Sequence, residues 1–309
     1  MESPLLKRYR DRSKPALSFE VFPPKTEKGM ETLCGKGGVI EQMVGLQPVY
    51  ISCTYGADGS NIGRNLEVLT NIRETEATVP VTHFTCIGAT EESVEERVSG
   101  YLAAGVDHML ALRGDLPVGW SDTHGDFRYA VELIAYLRKR FGSRLTIACS
   151  GMPESHIETA DPEDDIRHLK EKQDAGADFI MTQLTWDMDN FARWLDKIRA
   201  AGVTLPVDVG VMPVLDAADV LRMSLSRNGC AIPAELARLI SKYWVFPTPF
   251  EKDPPDREAA VKLRDFREAG IEYTLRQIEA YRALGVEGIH LYALNRFDAV
   301  GQIVPTAGL

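Results

Sequence analysis

An apolar run from His108 to Leu112 stops abruptly on Arg113-Gly114-Asp115, a cation, a glycine and a carboxylate in succession. Such a tripeptide either caps a strand with a tight turn or opens a polar site at the strand's end. The rest of the chain bears on that choice, because most of its other apolar runs finish the same way. They end on Phe19-Glu20-Val21-Phe22-Pro23-Pro24-Lys25, Thr54-Tyr55-Gly56-Ala57, Ser150-Gly151-Met152-Pro153-Glu154-Ser155-His156, Thr182-Gln183 and Tyr292-Ala293-Leu294-Asn295-Arg296. His83 lies in a further run that continues to Cys86.

Three of these side chains have chemistry worth stating. Glu20 alternates with Phe19 and Val21 and so faces away from both of them. A carboxylate turned into a packed interior is either ion-paired to a buried Arg or Lys or shifted upward in pKa, and a neutral carboxyl is a general acid. Asp115 offers acid–base or electrostatic work, or simply a partner for Arg113. The planar amide of Gln183 suits the edge of a heterocycle, or is a satisfied buried amide. His156 and His168 stand twelve residues apart without a third ligand in register, so a metal centre is not expected; the first reads as a loop hydrogen-bond group and the second as a helix-face residue. G-x-S-x-G, P-loop and Cys–His signatures are missing, which argues against acyl transfer and nucleotide hydrolysis.

The elements that position these groups alternate from end to end. Strands are predicted at Leu17–Phe22, Val49–Cys53, Val81–Cys86, His108–Leu112, Leu145–Cys149, Phe179–Gln183, Val207–Val211 and Gly288–Tyr292. Helical periodicity fills the intervals, as at Glu91–Ala104, Tyr129–Phe141, Pro162–Ala175 and Asn190–Ala201. Helices close on Ala-Gly or Leu-Gly, and Thr90 and Asp161-Pro162 mark helix entries. Eight strands separated by helices predict an α/β fold of the closed (β/α)8 TIM-type barrel, whose strand C-termini line one shared pocket. An open doubly wound sheet would alternate too, but the first βα turn lacks G-x-G-x-x-G, and Gly35-x-Gly37-Gly38 falls inside a helical stretch. The expected organisation is one barrel domain over 1–309, with an N-terminal extension at 1–15. A long helical connection from Leu215 to Gly285, of two or three helices, precedes the last strand. It breaks near Pro233 and again at Val245–Pro249, and an irregular Pro-rich excursion spans 244–257.

The 309 residues are 44% hydrophobic and 26% charged, with a net charge of −10 and a pI near 5.2. That balance argues against nucleic-acid or membrane-surface partners. No run approaches the roughly 20 apolar residues of a membrane span, and the basic, polar start lacks a signal-peptide core. Five scattered cysteines, with no C-x-x-C pair, fit a reduced cytoplasmic protein.

Together the strand ends resemble the methylenetetrahydrofolate reductase family. The residues that carry the likeness are Ser18-Phe19-Glu20-x-Phe22-Pro23-Pro24-Lys25, Thr54-Tyr55-Gly56-Ala57, Thr85-Cys86-Ile87, Ala111-Leu112-Arg113-Gly114-Asp115-x-Pro117, Asp174-Ala175-Gly176-Ala177, Thr182-Gln183 and Tyr292-x-Leu294-Asn295-Arg296. They keep the family's order from about residue 17 to 297, and the length matches the bacterial form that carries only the catalytic domain. The resemblance implies a (β/α)8 barrel holding FAD and reducing 5,10-methylenetetrahydrofolate to 5-methyltetrahydrofolate, with NADH or NADPH as electron source. It implies Glu20 as the general acid that opens the five-membered ring, and Asp115 beside flavin and pterin. Gln183, Asp219, Met223 and Arg296 fall at folate positions. Thr54, Tyr55, His83, Leu112, Arg113, Gly114, Asp115, Tyr129, Met152, His156, Asp165, Lys172 and Tyr292 fall at flavin positions. Relatives are commonly homo-oligomers, and the excursion at 244–257 is a candidate contact.

Several positions depart from the family pattern. Met152 replaces an aromatic residue, His168 and Glu171 replace an Asn and an Arg, and Asp219 and Met223 replace a Gln and a Phe. Asn61-Ile62-Gly63-Arg64-Asn65 keeps one Arg of an Arg-Asp-Arg-Thr run. A glutamate near a diphosphate weakens anion binding, so altered flavin affinity or a partner oxidoreductase as electron donor is an expectation. A pterin one-carbon-transfer enzyme without hydride transfer, and a non-catalytic folate-binding subunit, are the other readings.

Overall fold

The computed structural model describes residues 3–54, 62–117, 119–226, 229–243 and 257–309. Its strands are β1 (Ala16–Val21), β2 (Tyr50–Cys53), β3 (Val79–Thr85), β4 (His108–Leu112), β5 (Thr146–Gly151), β6 (Phe179–Thr182), β7 (Val207–Val211) and β8 (Gly288–Tyr292). Each lies within two residues of its predicted bounds. All neighbours pair in parallel in sequence order, and β8 closes on β1 with Ser18 opposite His290 and Glu20 opposite Tyr292. Closure decides the architecture in favour of the barrel.

The helices are α1 (Pro4–Arg10), α2 (Glu27–Cys34), α3 (Val39–Val44), α4 (Ile62–Glu74), α5 (Glu91–Ala103), α6 (Ala130–Phe141), α7 (Pro162–Asp174), α8 (Met188–Ala200), α9 (Ala217–Ser224), α10 (Ala234–Tyr243), α11 (Arg257–Ala283) and α12 (Val300–Ala307). The entries behave as their residues dictate. The Thr90 hydroxyl accepts from the Ser93 N–H in a capping box, and the Asp161 carboxylate accepts from Glu163 N–H ahead of Pro162. Among the described residues the connection after β7 holds three helices, α9 to α11, and the excursion at 244–256 lies outside them.

One local expectation is corrected. Gly35, Gly37 and Gly38 do not sit within a helix but separate α2 from α3. Gly37 has φ +73°, and a Cβ on Gly38 would come within 2.6 Å of the Gly35 carbonyl oxygen, so the glycines make a corner that other residues would strain. No described helix is long and apolar enough to cross a membrane.

Apolar side chains form three clusters among the described residues, and two of them fill concentric spaces. The larger core lies between the sheet's outer face and the helices, where Phe19, Val21, Ile51, Phe84, Ile147 and Ile289 are buried. The barrel interior holds Ala16, Tyr50, Val81, Leu110, Ala148, Phe179 and Met181, and α1 adds Leu5 and Tyr9 at its base. Among these apolar groups the polar side chains of Ser18, Ser52, Asp208 and His290 are wholly buried. Burial of that kind requires partners, and these residues find them in one another.

Candidate active site

The C-terminal ends of the strands open on a cavity of about 950 Å³. Glu20 from β1, His83 and Thr85 from β3, and Tyr292 from β8 line one side of it, with Thr54 just beyond β2. Leu112, Arg113, Gly114 and Asp115 line it where β4 ends, and Tyr129 stands at the entry to α6. Met152 and His156 follow β5; Asp165, His168, Glu171 and Lys172 face in from α7; Gln183 follows β6 and Met223 comes from α9. Fifteen residues expected at a site from widely separated segments thus share one cavity. His168, expected on a helix face and as a departure from the family pattern, belongs to it as well.

Glu20 reaches the cavity floor because β1 alternates, sending Phe19 and Val21 outward to the core. Its Oε2 lies 3.3 Å from His83 Nε2 and 3.8 Å from His290 Nε2. Its partners are therefore imidazoles, not the interior Arg or Lys of the ion-pair alternative. Burial pushes the carboxyl up, but His290 and His83 outweigh it and hold the group at about 2. The His83 contact is within ion-pair range yet is not aligned as a hydrogen bond.

Arg113 Nη1 donates to Glu158 Oε2 at 2.7 Å, an ion pair with a residue that nothing in the sequence singles out. Asp165 accepts the His156 N–H at 2.7 Å and the Thr159 hydroxyl at 2.8 Å, which pins the loop after β5. His156 Nδ1 accepts from Glu158 N–H at 3.2 Å, the expected loop role, and burial together with Arg113 lowers its pKa. Lys172 Nζ donates to Ser150, to the carbonyl at 3.0 Å and the hydroxyl at 3.3 Å, and burial depresses its pKa. The Gln183 side-chain oxygen accepts the Leu184 N–H at 2.9 Å, while Tyr292 donates to the Thr182 carbonyl at 3.0 Å.

Two of the expected residues stand apart. Asp219, one turn before Met223 on α9, takes a hydrogen bond from Arg222 at 2.6 Å and lies 3.9 Å from Arg296, and neither Asp219 nor Arg296 lines the cavity. Tyr55 is outside the described residues. Residues missed from sequence include Glu158, Met181 and above all His290. The signal for His290 was present, since it stands two residues before Tyr292 on β8 and shares its face. Among the described residues no group of three or more His, Cys, Asp or Glu side chains is arranged to hold a metal.

The sequence profile described as methylenetetrahydrofolate reductase matches residues 5–308, nearly the whole chain. The chain belongs to the methylenetetrahydrofolate reductase family. Methylenetetrahydrofolate reductase 1 of Schizosaccharomyces pombe is 31% identical over 303 residues, covering 96% of this chain and 47% of that protein. The chain thus spans about half the length of the first curated relatives it matches. The 5,10-methylenetetrahydrofolate reductase of Escherichia coli K12 is 28% identical over 293 residues, covering 95% of this chain and 90% of its own. A crystal structure of oxaloacetate acetylhydrolase superposes with a TM-score of 0.52 at 10% identity, over 98% of this chain and 84% of that one, and shows the shared barrel fold alone.

Proposed function

We propose that this chain reduces 5,10-methylenetetrahydrofolate to 5-methyltetrahydrofolate, with FAD as the bound hydride carrier and NADH or NADPH as its electron source. The observation that carries the reading is the carboxylate–imidazole cluster at the floor of a folate-sized cavity in a member of this family. The pterin edge would meet the Gln183 amide, and Asp115 lines the same cavity. A proton delivered from the Glu20 cluster to N10 would break the C–N10 bond of the five-membered ring and leave an N5 iminium. FAD, when bound and reduced, would supply the hydride that makes the methyl group. Substrate over the pocket excludes water from Glu20, which favours its protonated form.

The residues present fit a flavin dinucleotide in size and in their apolar surfaces, with Leu112, Met152, Leu169 and Met181 available to a flat ring. The fit is weaker at the diphosphate. Arg113, Lys172, His156 and His168 are the cationic or basic groups on the wall, and Glu158, Asp164, Asp165 and Glu171 share it with them. That balance, with Arg113 already paired to Glu158, supports a second reading in which a partner oxidoreductase subunit supplies the electrons. The proposal includes a cytoplasmic homo-oligomer, as the family resemblance implies.

The test is an anaerobic titration of the purified protein with FAD. Bleaching of the flavin by NADH or NADPH, then reoxidation by methylenetetrahydrofolate, is the expected result. A flavin that ignores both nicotinamides but, once reduced chemically, is reoxidised by the folate would move the reading to the partner donor. Failure to bind flavin or to turn over the folate would overturn it.

A further inference from the structure

Beneath Glu20 a hydrogen-bonded chain runs down the barrel axis to its base. Asp208 of β7 is wholly buried, and three hydroxyls converge on its Oδ2: Tyr50 at 2.7 Å, Tyr9 at 3.0 Å and Ser18 at 3.1 Å. Ser18 Oγ also lies 2.8 Å from His290 Nδ1. His290 Nε2 points the other way, toward Glu20 at 3.8 Å. The Tyr50 ring stacks on the imidazole at 5.5 Å between centroids and 17° between planes.

The directions of these bonds follow from counting protons. Burial and the Asp208 charge raise the pKa of both phenols, so Tyr9 and Tyr50 keep their protons and donate. Ser18 has one proton and three possible acceptors, Asp208 Oδ2 at 3.1 Å, the Ile289 carbonyl at 3.5 Å and His290 Nδ1 at 2.8 Å; the ionised carboxylate is the strongest acceptor of the three. Having donated to Asp208, Ser18 has only a lone pair to offer His290, and Nδ1 must carry hydrogen. Burial pushes the Asp208 carboxyl up, while His290 and the three hydroxyls pull it back. Its Oδ1 has no hydrogen-bond partner among the described residues, so all three hydroxyls meet the ionised carboxylate at Oδ2.

We infer that Ser18 and Asp208 are positioning residues that lock His290 in its Nδ1–H form and thereby keep the acid's proton shared between His290 Nε2 and Glu20. The inference rests on Glu20 serving as the acid. With Nδ1 occupied, one further proton has two places to sit. On Nε2 it makes an imidazolium facing the Glu20 carboxylate; on Glu20 it makes a carboxylic acid facing a bare Nε2. The pair is neutral in both forms. Crossing the 3.8 Å gap takes a closer approach or a bridging water. One proton leaves the pair for the folate nitrogen and is regained from solvent after product departs. This resolves how a carboxyl held low in the open pocket remains competent: His290 stores its proton. The titratable groups facing the pair are His83 on β3, Cys53 and Tyr50 on β2, Asp208 on β7 and Tyr292 on β8. The Ser52 hydroxyl is 3.5 Å from Nε2.

Imidazole-¹⁵N NMR on the protein alone, with His290 assigned by the signal lost in His290→Gln, should show the Nδ1–H tautomer above the ring's transition. Ser18→Ala should lose that preference. It should also move the alkaline limb of folate reduction down by roughly one pH unit, as expected when a charged form loses one hydrogen bond. At a pH just above the native limb, the rate then falls roughly tenfold. Asp208→Asn, which removes the charge but keeps an accepting oxygen, should move the limb the same way and serves if Ser18→Ala does not fold. An Nε2–H tautomer in the native protein, or a limb unmoved in both variants, overturns the inference. Absence of folate turnover in the native protein would instead sink the proposed function, and the tautomer would still decide the inference.

Discussion

Replacing Glu20 by Gln removes a charge whose worth can be worked from its surroundings. The carboxyl is held at about 2 against an ordinary 4.5, and its side chain is 17% exposed, so little solvent screening intervenes. Each pKa unit corresponds to about 1.4 kcal/mol, so the ionised form contributes on the order of 3 kcal/mol to folding. Because the folded-state value lies below the unfolded one, that contribution is complete above about pH 4.5 and is lost as pH falls toward 2. Urea unfolding of native and Glu20→Gln protein at pH 7, 5, 4 and 3.5 reads it directly. The native protein should be more stable at pH 7 by about 2–3 kcal/mol, since the amide keeps the packing but not the charge. The gap should hold at pH 5 and narrow at 4 and 3.5. The same variant should lose folate-dependent reoxidation while its flavin is still reduced. A stability gap that is constant from pH 7 to 3.5 would refute the assignment of His83 and His290 as the groups that stabilise the carboxylate.

Two further outcomes follow from the cavity and the barrel base. Glu158→Gln removes the anion 2.7 Å from Arg113 and should tighten FAD binding roughly fivefold in low salt, the effect fading as salt rises, measured by flavin fluorescence titration. Gly288→Ala would place a Cβ 2.5 Å from Asp208 Oδ1 and should cost about 1–3 kcal/mol in urea unfolding, because both groups lie in the packed barrel base.

The strand-end polar residues were legible because alternation and helix spacing are local properties. Arg113-Gly114-Asp115, Glu20 and Gln183 could be read as site residues without knowing the partner of any of them. Their partners were not legible, because His83, His290 and Glu20 come from β3, β8 and β1 and meet only through barrel closure and register. Arg113 shows the same limit: its adjacent carboxylate, Asp115, was the obvious candidate partner, but the folded loop after β5 brings Glu158 to it. The segment at 1–15 read as an extension because its charges dominate. Leu5 and Tyr9, four residues apart on one helical face, were the quieter signal that α1 packs into the barrel base.

The pairing of β1 with β8 also bears on how the chain is made. Glu20 and Ser18 leave the ribosome some 270 residues before His290, with which they share a buried site. Until β8 arrives, a nascent barrel has an open edge at β1 and a carboxylate facing its interior without one of its two imidazoles. Seven strands can form local hairpin-free βαβ units, yet the site and the sheet are completed by the same last strand. Synthesis stalled before Gly288 would leave both an unpaired strand edge and exposed apolar surface, the combination that recruits chaperones and proteases. The proposed chemistry would therefore be available only in chains whose sheet has closed, because one missing strand leaves both the edge open and the site incomplete.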